Sequence, residues 1–339
     1  MKKWLFPLIV ILVLSIGAVF WFLYATKSPT AEPPEPTKPL ATNVSKHIEK
    51  YYLTDEHLII DYEQADNPHY LAESIGLYMQ YLLKVDDSSR FDQMYHSLLD
   101  HFVVTTNEGT FLKWEAQKTT TTNALIDDTR IAAALLTASS QFDYPPYQEL
   151  AEKINKADHT FLLSQNTPLD FYDFQMKKQA DTLHLSYYAV PEMKLLGYSD
   201  RNFVPLKKAK AHPFFKEIYQ NGQYTESDPK EVNMIDQMLI AIAYLEVNGK
   251  PEPHFDLFLQ AELDEQGKIF GRYDRTTQKA IDQMESTAVY AFLVQYFQKT
   301  NNVKHGKIAQ GLLQKMDTSN PETTHFFDYI NKELVLTPK

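Results

Sequence analysis

From residue 45 onward, apolar residues recur at helical spacing in twelve stretches. They lie near 45–53, 69–83, 88–102, 123–139, 146–164, 187–196, 201–218, 231–247, 255–264, 285–298, 302–316 and 325–335. Two kinds of stretch alternate. One kind is amphipathic and charged, as in Tyr147-Gln148-Glu149-Leu150-Ala151-Glu152-Lys153-Ile154. The other is close to apolar all round, as in Ile131-Ala132-Ala133-Ala134-Leu135-Leu136 or the run from Met238 to Leu245. A helix apolar on every side is buried on every side, so the alternation predicts two concentric layers. The apolar stretches begin near 70, 125, 187, 233, 285 and 325, a step of about 40–60 residues. The predicted class is all-α, with six helical hairpins closed into an (α/α)6 toroid. An open solenoid of the same period would leave one face of each helix in solvent.

The first 27 residues follow another pattern. Lys2 and Lys3 precede an uncharged run of 22 residues, Trp4 to Ala25, long enough to cross ~30 Å of hydrocarbon as a helix. Trp4, Trp21, Phe22 and Tyr24 lie near its ends, where interfacial aromatics belong. The run is too long and its end too bulky for a cleaved signal peptide. Residues 1–27 are therefore expected to be a cytoplasmic tip and a transmembrane anchor, with the rest of the chain extracellular at the cell membrane. Residues 28–44 form a linker; five of the 18 prolines fall within 28–41, which makes an extended spacer. Residues 45–339 are the expected catalytic domain.

Composition narrows the chemistry. Only 10 glycines in 339 residues disfavour a turn-rich β fold. The absence of Cys removes disulfides, thiolate metal sites and thiol nucleophiles. Residues 1–27 hold three Lys and no acid, so the net charge of −11 becomes −14 beyond them. That balance argues against a nucleic-acid partner. The eleven His are scattered without metal-ligand spacing, and neither a metal nor a cofactor is expected.

Four of the apolar stretches open with a carboxylate: Glu73, Asp128, Asp236 and Glu285. A fifth opens with Ser186-Tyr187-Tyr188. Acids in a first helical turn commonly cap N–H groups and meet the helix dipole. In a ring of like hairpins, however, these N-termini share one rim. The acids then line one cleft, where burial and like charges raise at least one pKa. A protonated carboxyl beside an ionised one is the equipment of a glycosidase.

At these residues the chain resembles glycoside hydrolase family 8, an inverting (α/α)6 family. The likeness covers most of residues 45–335. Ala72-Glu73-Ser74-Ile75-Gly76-Leu77-Tyr78-Met79 is similar to the family's proton-donor segment, which implies Glu73 as general acid. Ile126-Asp127-Asp128-Thr129-Arg130-Ile131-Ala132 resembles its Asp-x-Asp-x-x-Ile-Ala segment, with Asp128 implied to position sugar and water. Ser186-Tyr187-Tyr188-Ala189-Val190-Pro191 resembles its Ser-Tyr-Phe-x-Pro segment. Ile235-Asp236-Gln237-Met238-Leu239 resembles the base segment and nominates Asp236 as general base, although Leu239 stands where the family has Arg. Trp114, Tyr187, Tyr188 and Tyr78 are candidate sugar platforms, and Glu285 a further substrate contact. An anchored protein of this layout resembles the glycosidases that accompany exopolysaccharide synthases in Gram-positive bacteria. That implies a biofilm polysaccharide as substrate and a synthase complex as partner. Two rival readings remain open on sequence: a non-catalytic toroid that binds polysaccharide or scaffolds the synthase, and a polysaccharide lyase on the same fold.

Overall fold

The computed structural model describes residues 43–62 and 67–338. The expected anchor of residues 1–27 and most of the linker lie outside the described residues. No helix of the described residues is long and apolar enough to cross a membrane.

Twelve α-helices occur among the described residues, and they alternate as the pattern predicts. The outer set is α1 (Asn43–Tyr51), α3 (Ser88–His101), α5 (Pro145–Phe161), α7 (Val204–Lys208), α9 (Pro253–Glu265) and α11 (Val303–Lys315). The inner set is α2 (Ala72–Lys84), α4 (Leu125–Phe142), α6 (Val190–Leu195), α8 (Met234–Asn248), α10 (Thr287–Lys299) and α12 (Phe326–Leu336). Outer helices bury one stripe: α3 buries Phe91, Met94, Tyr95 and Leu98, and α11 only His305, Ala309 and Leu313. Most inner helices are covered nearly all round, as α10 is from Thr287 to Val294; the short α6 buries only Val190 and Met193. Each inner helix packs on the next, and α12 returns to α2, so the inner layer is a closed ring.

The inner helices point the same way. Asp328, in the first turn of α12, accepts the backbone N–H of Ala288 at 2.7 Å and the Ser286 hydroxyl at 3.2 Å at the start of α10. The carboxyl of Glu73 in α2 feels the charges of Arg130 and Asp127 in α4 and of His325 at the cap of α12. The N-termini of the ring therefore meet on one rim.

Short strands decorate the fold. Paired antiparallel are β1 (Val103–Thr105) with β2 (Thr110–Leu112), β3 (Leu163–Ser164) with β4 (Thr167–Pro168), and β5 (Tyr172–Asp173) with β6 (Lys178–Gln179). Further on come the sheet β7 (Leu183–His184), β8 (Ile218–Gln220) and β9 (Gln223–Thr225), and the pair β10 (Glu231–Asn233) and β11 (Arg272–Asp274). Asn221 and Gly222 both take positive φ at the β8–β9 turn, as a two-residue hairpin requires.

Two helices are shorter than expected. The stretch 201–218 is helical only over Val204–Lys208; Ala209 leaves the helix in an extended conformation, Pro213 bars a restart, and Phe214 and Phe215 turn into the core. The stretch 187–196 divides into a 3-10 turn, Leu185–Tyr187, and α6, which Pro191 starts.

Candidate active site

Glu73 sits in the first turn of α2. The apolar run behind it, Ile75 to Met79, is fully buried and fixes the helix in the ring. No side chain caps α2; the N–H of Ala72 donates instead to the carbonyl of Trp114 at 2.9 Å. Below Glu73 a cavity of about 240 Å³ follows the ring axis, with residues of all six inner helices in its wall. Leu77, Ile126, Leu239, Ile242 and Phe292 make much of that wall apolar. The low-dielectric surroundings disfavour a charged carboxylate. Burial raises the Glu73 pKa to about 7; Arg130 pulls it down, Asp127 pushes it up, and His325 pulls it down.

The start of α4 brings Asp127 and Asp128, and adjacent helix positions face about 100° apart. Asp127 pairs with Arg130 one turn on, Nη1 to Oδ1 2.9 Å, and stands beside Glu73. Burial lifts it to about 6, against the pull of Arg130. Gly76 lets this pair lie close to α2: a Cβ there would meet Ile131 Cγ1 at 3.0 Å and Arg130 Cδ at 3.1 Å. Asp128 turns the other way, toward the outer layer. It is 1% exposed, accepts the Asn123 amide at 2.5 Å, and faces Asp158 of α5. The expectation that Asp128 lines the cleft is therefore corrected. Asp127 occupies that side of the helix.

Across the rim, Asp236 lies in the first turn of α8. Burial raises its pKa; the neighbouring Ser186 side chain lowers it, Glu217 raises it, and His184 lowers it. Tyr187 marks the meeting point. Burial pushes its hydroxyl up to about 12, helped by Asp170, Asp127, Asp236 and Glu73. Carboxylates from α2, α4 and α8 thus converge on one tyrosine. Among the described residues no three His, Asp or Glu side chains are grouped as metal ligands.

The chain is 52% identical to PssZ from Listeria monocytogenes, whose crystal structure it matches with a TM-score of 0.87 over 91% of this chain and 98% of that one. It belongs to the PssZ family. YdaJ of Bacillus subtilis (strain 168), named as a candidate lipoprotein, is 28% identical over 298 residues, 82% of this chain and 79% of that protein. The fold is that of a family 8 glycosyl hydrolase, endoglucanase Cel10 from Klebsiella pneumoniae. The two share 13% identity and a TM-score of 0.62, over 86% of this chain and 96% of that one. No family model matches the chain. With the family 8 enzymes this PssZ-family chain shares the fold.

The remaining expected site residues of the PssZ-family chain fall in different places. Tyr187 lies in the acid cluster. Tyr188 edges the axial cavity, but it is buried and its hydroxyl donates to the Asn202 carbonyl at 2.7 Å. Tyr78 is corrected to a core residue: 1% exposed, stacked on Tyr81, and turned toward Ser45 of α1. Its place in the apolar run of α2 is what buries it. Trp114 is 40% exposed, and its backbone carbonyl accepts the Ala72 N–H at the α2 N-terminus. Glu285 is held apart from the cluster by the Tyr290 hydroxyl and by Lys268, 3.4 Å away.

Arg130, Asp170, His184 and His325 also belong to this rim. Arg130 could have been found from its i,i+3 spacing to Asp127. Asp170 and His184 lie in the strand-bearing segment between α5 and α6, where no helical period marks an orientation.

Proposed function

We propose that this chain is an inverting glycoside hydrolase acting on an extracellular polysaccharide. The observation that carries the reading is the pair Glu73 and Asp236. They stand on different inner helices of one rim, both act on Tyr187, and Glu73 keeps its proton to about pH 7.

In the proposed reaction Glu73 gives its proton to the glycosidic oxygen as the bond from that oxygen to C1 breaks. Asp236 takes a proton from a water that attacks C1 from the opposite face. The new C1–OH has the inverted configuration, Glu73 is left ionised, and Asp236 is left protonated. Solvent returns both to their starting states. Inversion needs room for the water, so the two carboxyls should stand ~6.5–9.5 Å apart. Asp127 and Arg130 steady Glu73, and Trp114 offers a face to a sugar ring.

The location belongs to the same proposal. Residues 1–27 anchor the chain in the cell membrane, 28–44 lift it away, and 45–339 work outside. YdaJ is named as a candidate lipoprotein, a class held at a membrane surface. This chain has no Cys to carry a lipid, and a transmembrane helix would serve the same purpose. A biofilm polymer, met near its synthase, is the substrate this placement suits.

The test is incubation with polymer taken from the source organism's own biofilm. Reducing ends should appear with the wild type and fail to appear with Glu73→Gln or Asp236→Asn. Unsaturated-uronate absorbance would mark a lyase instead. Tight binding without cleavage would mark a scaffold.

A further inference from the structure

Asp170, His184 and Asp236 come from three separate stretches and meet beside Tyr187. Asp170, between β4 and β5, is 4% exposed. It accepts the Thr182 hydroxyl at 2.6 Å, the backbone N–H of His184 at 2.6 Å, and Nδ1 of His184 at 2.8 Å. Three donors on one buried carboxylate fix the imidazole with Nδ1–H toward Asp170. The opposite ring edge carries Nε2 away from Asp170. The Tyr187 ring lies against the imidazole at 5.5 Å between centroids. Ser186, two residues on, lies in the 3-10 turn Leu185–Tyr187 that packs on α8, so one short segment brings both its hydroxyl and the imidazole to that helix.

The charged groups around His184 are acidic from each side that packs on it. They are Asp170 from the β4–β5 connection, Asp236 from α8, and Glu217 just before β8. Glu217 is engaged elsewhere, by Arg275 at 2.6 Å and by the Gln237 amide at 2.6 Å.

We propose that Asp170 and His184 form a carboxylate–imidazolium pair whose cation holds Asp236 ionised, which makes His184 the positioning residue of the base. The hydrogen bond from Asp170 raises the imidazole pKa; burial opposes this, and the charges of Asp170, Asp236 and Glu217 add to the rise. The cation is present below that raised pKa and lost above it. It is therefore in place over the acidic range where Asp236 would otherwise take a proton. The proposal rests on the glycosidase reading only for why Asp236 should be ionised.

The test follows titration by NMR in the full chain and needs no turnover. The His184 Cε1–H resonance should show a midpoint above 6.5 in the wild type. In Asp170→Asn it should fall by about one pH unit, a tenfold change in the ionisation equilibrium. The Asp236 carboxyl midpoint should rise in His184→Gln, and the acid limb of kcat/KM should move up with it. Ser186→Ala should raise the Asp236 midpoint and leave that of His184 in place. An unchanged His184 midpoint in Asp170→Asn, or an unmoved Asp236 midpoint in His184→Gln, overturns the proposal. A wild type that hydrolyses nothing overturns the glycosidase reading, while the resonance shifts still decide this one.

Discussion

Asp128 and Asp158 face each other between α4 and α5, each 1% exposed. Among the described residues no donor reaches either oxygen of Asp158, yet the two carboxyls lie within hydrogen-bonding reach of one another. One shared proton accounts for the contact. Burial holds Asp158 at about 7 in the folded chain, against an ordinary 3.8. Between those values the native state keeps a proton that the unfolded chain has released. Stability therefore falls as pH rises from about 4 to about 7, and falls further as Asp128, which burial and Asp158 raise well above its ordinary value, gives up its own proton. Roughly three pH units at ~1.36 kcal/mol each put the Asp158 share of the penalty at a few kcal/mol at pH 8. Asp158→Asn supplies an amide donor to Asp128 with no proton needed. The variant should be more stable than wild type by roughly 2–4 kcal/mol at pH 8, and by almost nothing near pH 4. Urea melts at a series of pH values measure this directly. A difference independent of pH, or an Asn variant weaker at every pH, would refute the shared proton.

Three further outcomes follow from the same geometry. The kcat/KM profile should be bell-shaped and fall above about pH 7, where Glu73 loses its proton; activity undiminished at pH 9 would remove Glu73 as the acid. Gly76→Ala gains up to ~1 kcal/mol of helix propensity. It also crowds Ile131 and Arg130 at a cost of ~1–3 kcal/mol, so thermal melts should show net destabilisation. Trp114→Ala should raise KM for polymer several-fold with little change in kcat, and because the residue is 40% exposed and otherwise covered, its stability in thermal melts should fall only modestly, by ~1–2 kcal/mol.

The ring was legible because burial leaves its mark on composition. Helices such as α4 and α10 have no polar face to offer solvent, and only an inner layer accommodates that. The starts of α2 and α8 were legible for the same reason, since a carboxylate ahead of a fully apolar run stands out. The choice between Asp127 and Asp128 was not, because neighbouring helix positions differ by a rotation that two adjacent acids do not reveal. Tyr78 misled because an aromatic in a buried stripe spells the same as one facing a cleft. Asp170 and His184 were invisible because their strand segments are short and their partners distant in sequence. In α7 the apolar residues continue past Lys208, but Ala209 turns extended and Pro213 bars a restart.

The central claim is that Glu73 and Asp236 cleave a glycosidic bond with inversion, and the anomer first released is its most direct measure. Proton NMR within the first minutes of hydrolysis, before mutarotation, should show the configuration opposite to that of the cleaved linkage. No such signal should appear with Glu73→Gln, whose fold should be unchanged. Release of the retained anomer, or undiminished release by Glu73→Gln, would contradict the account.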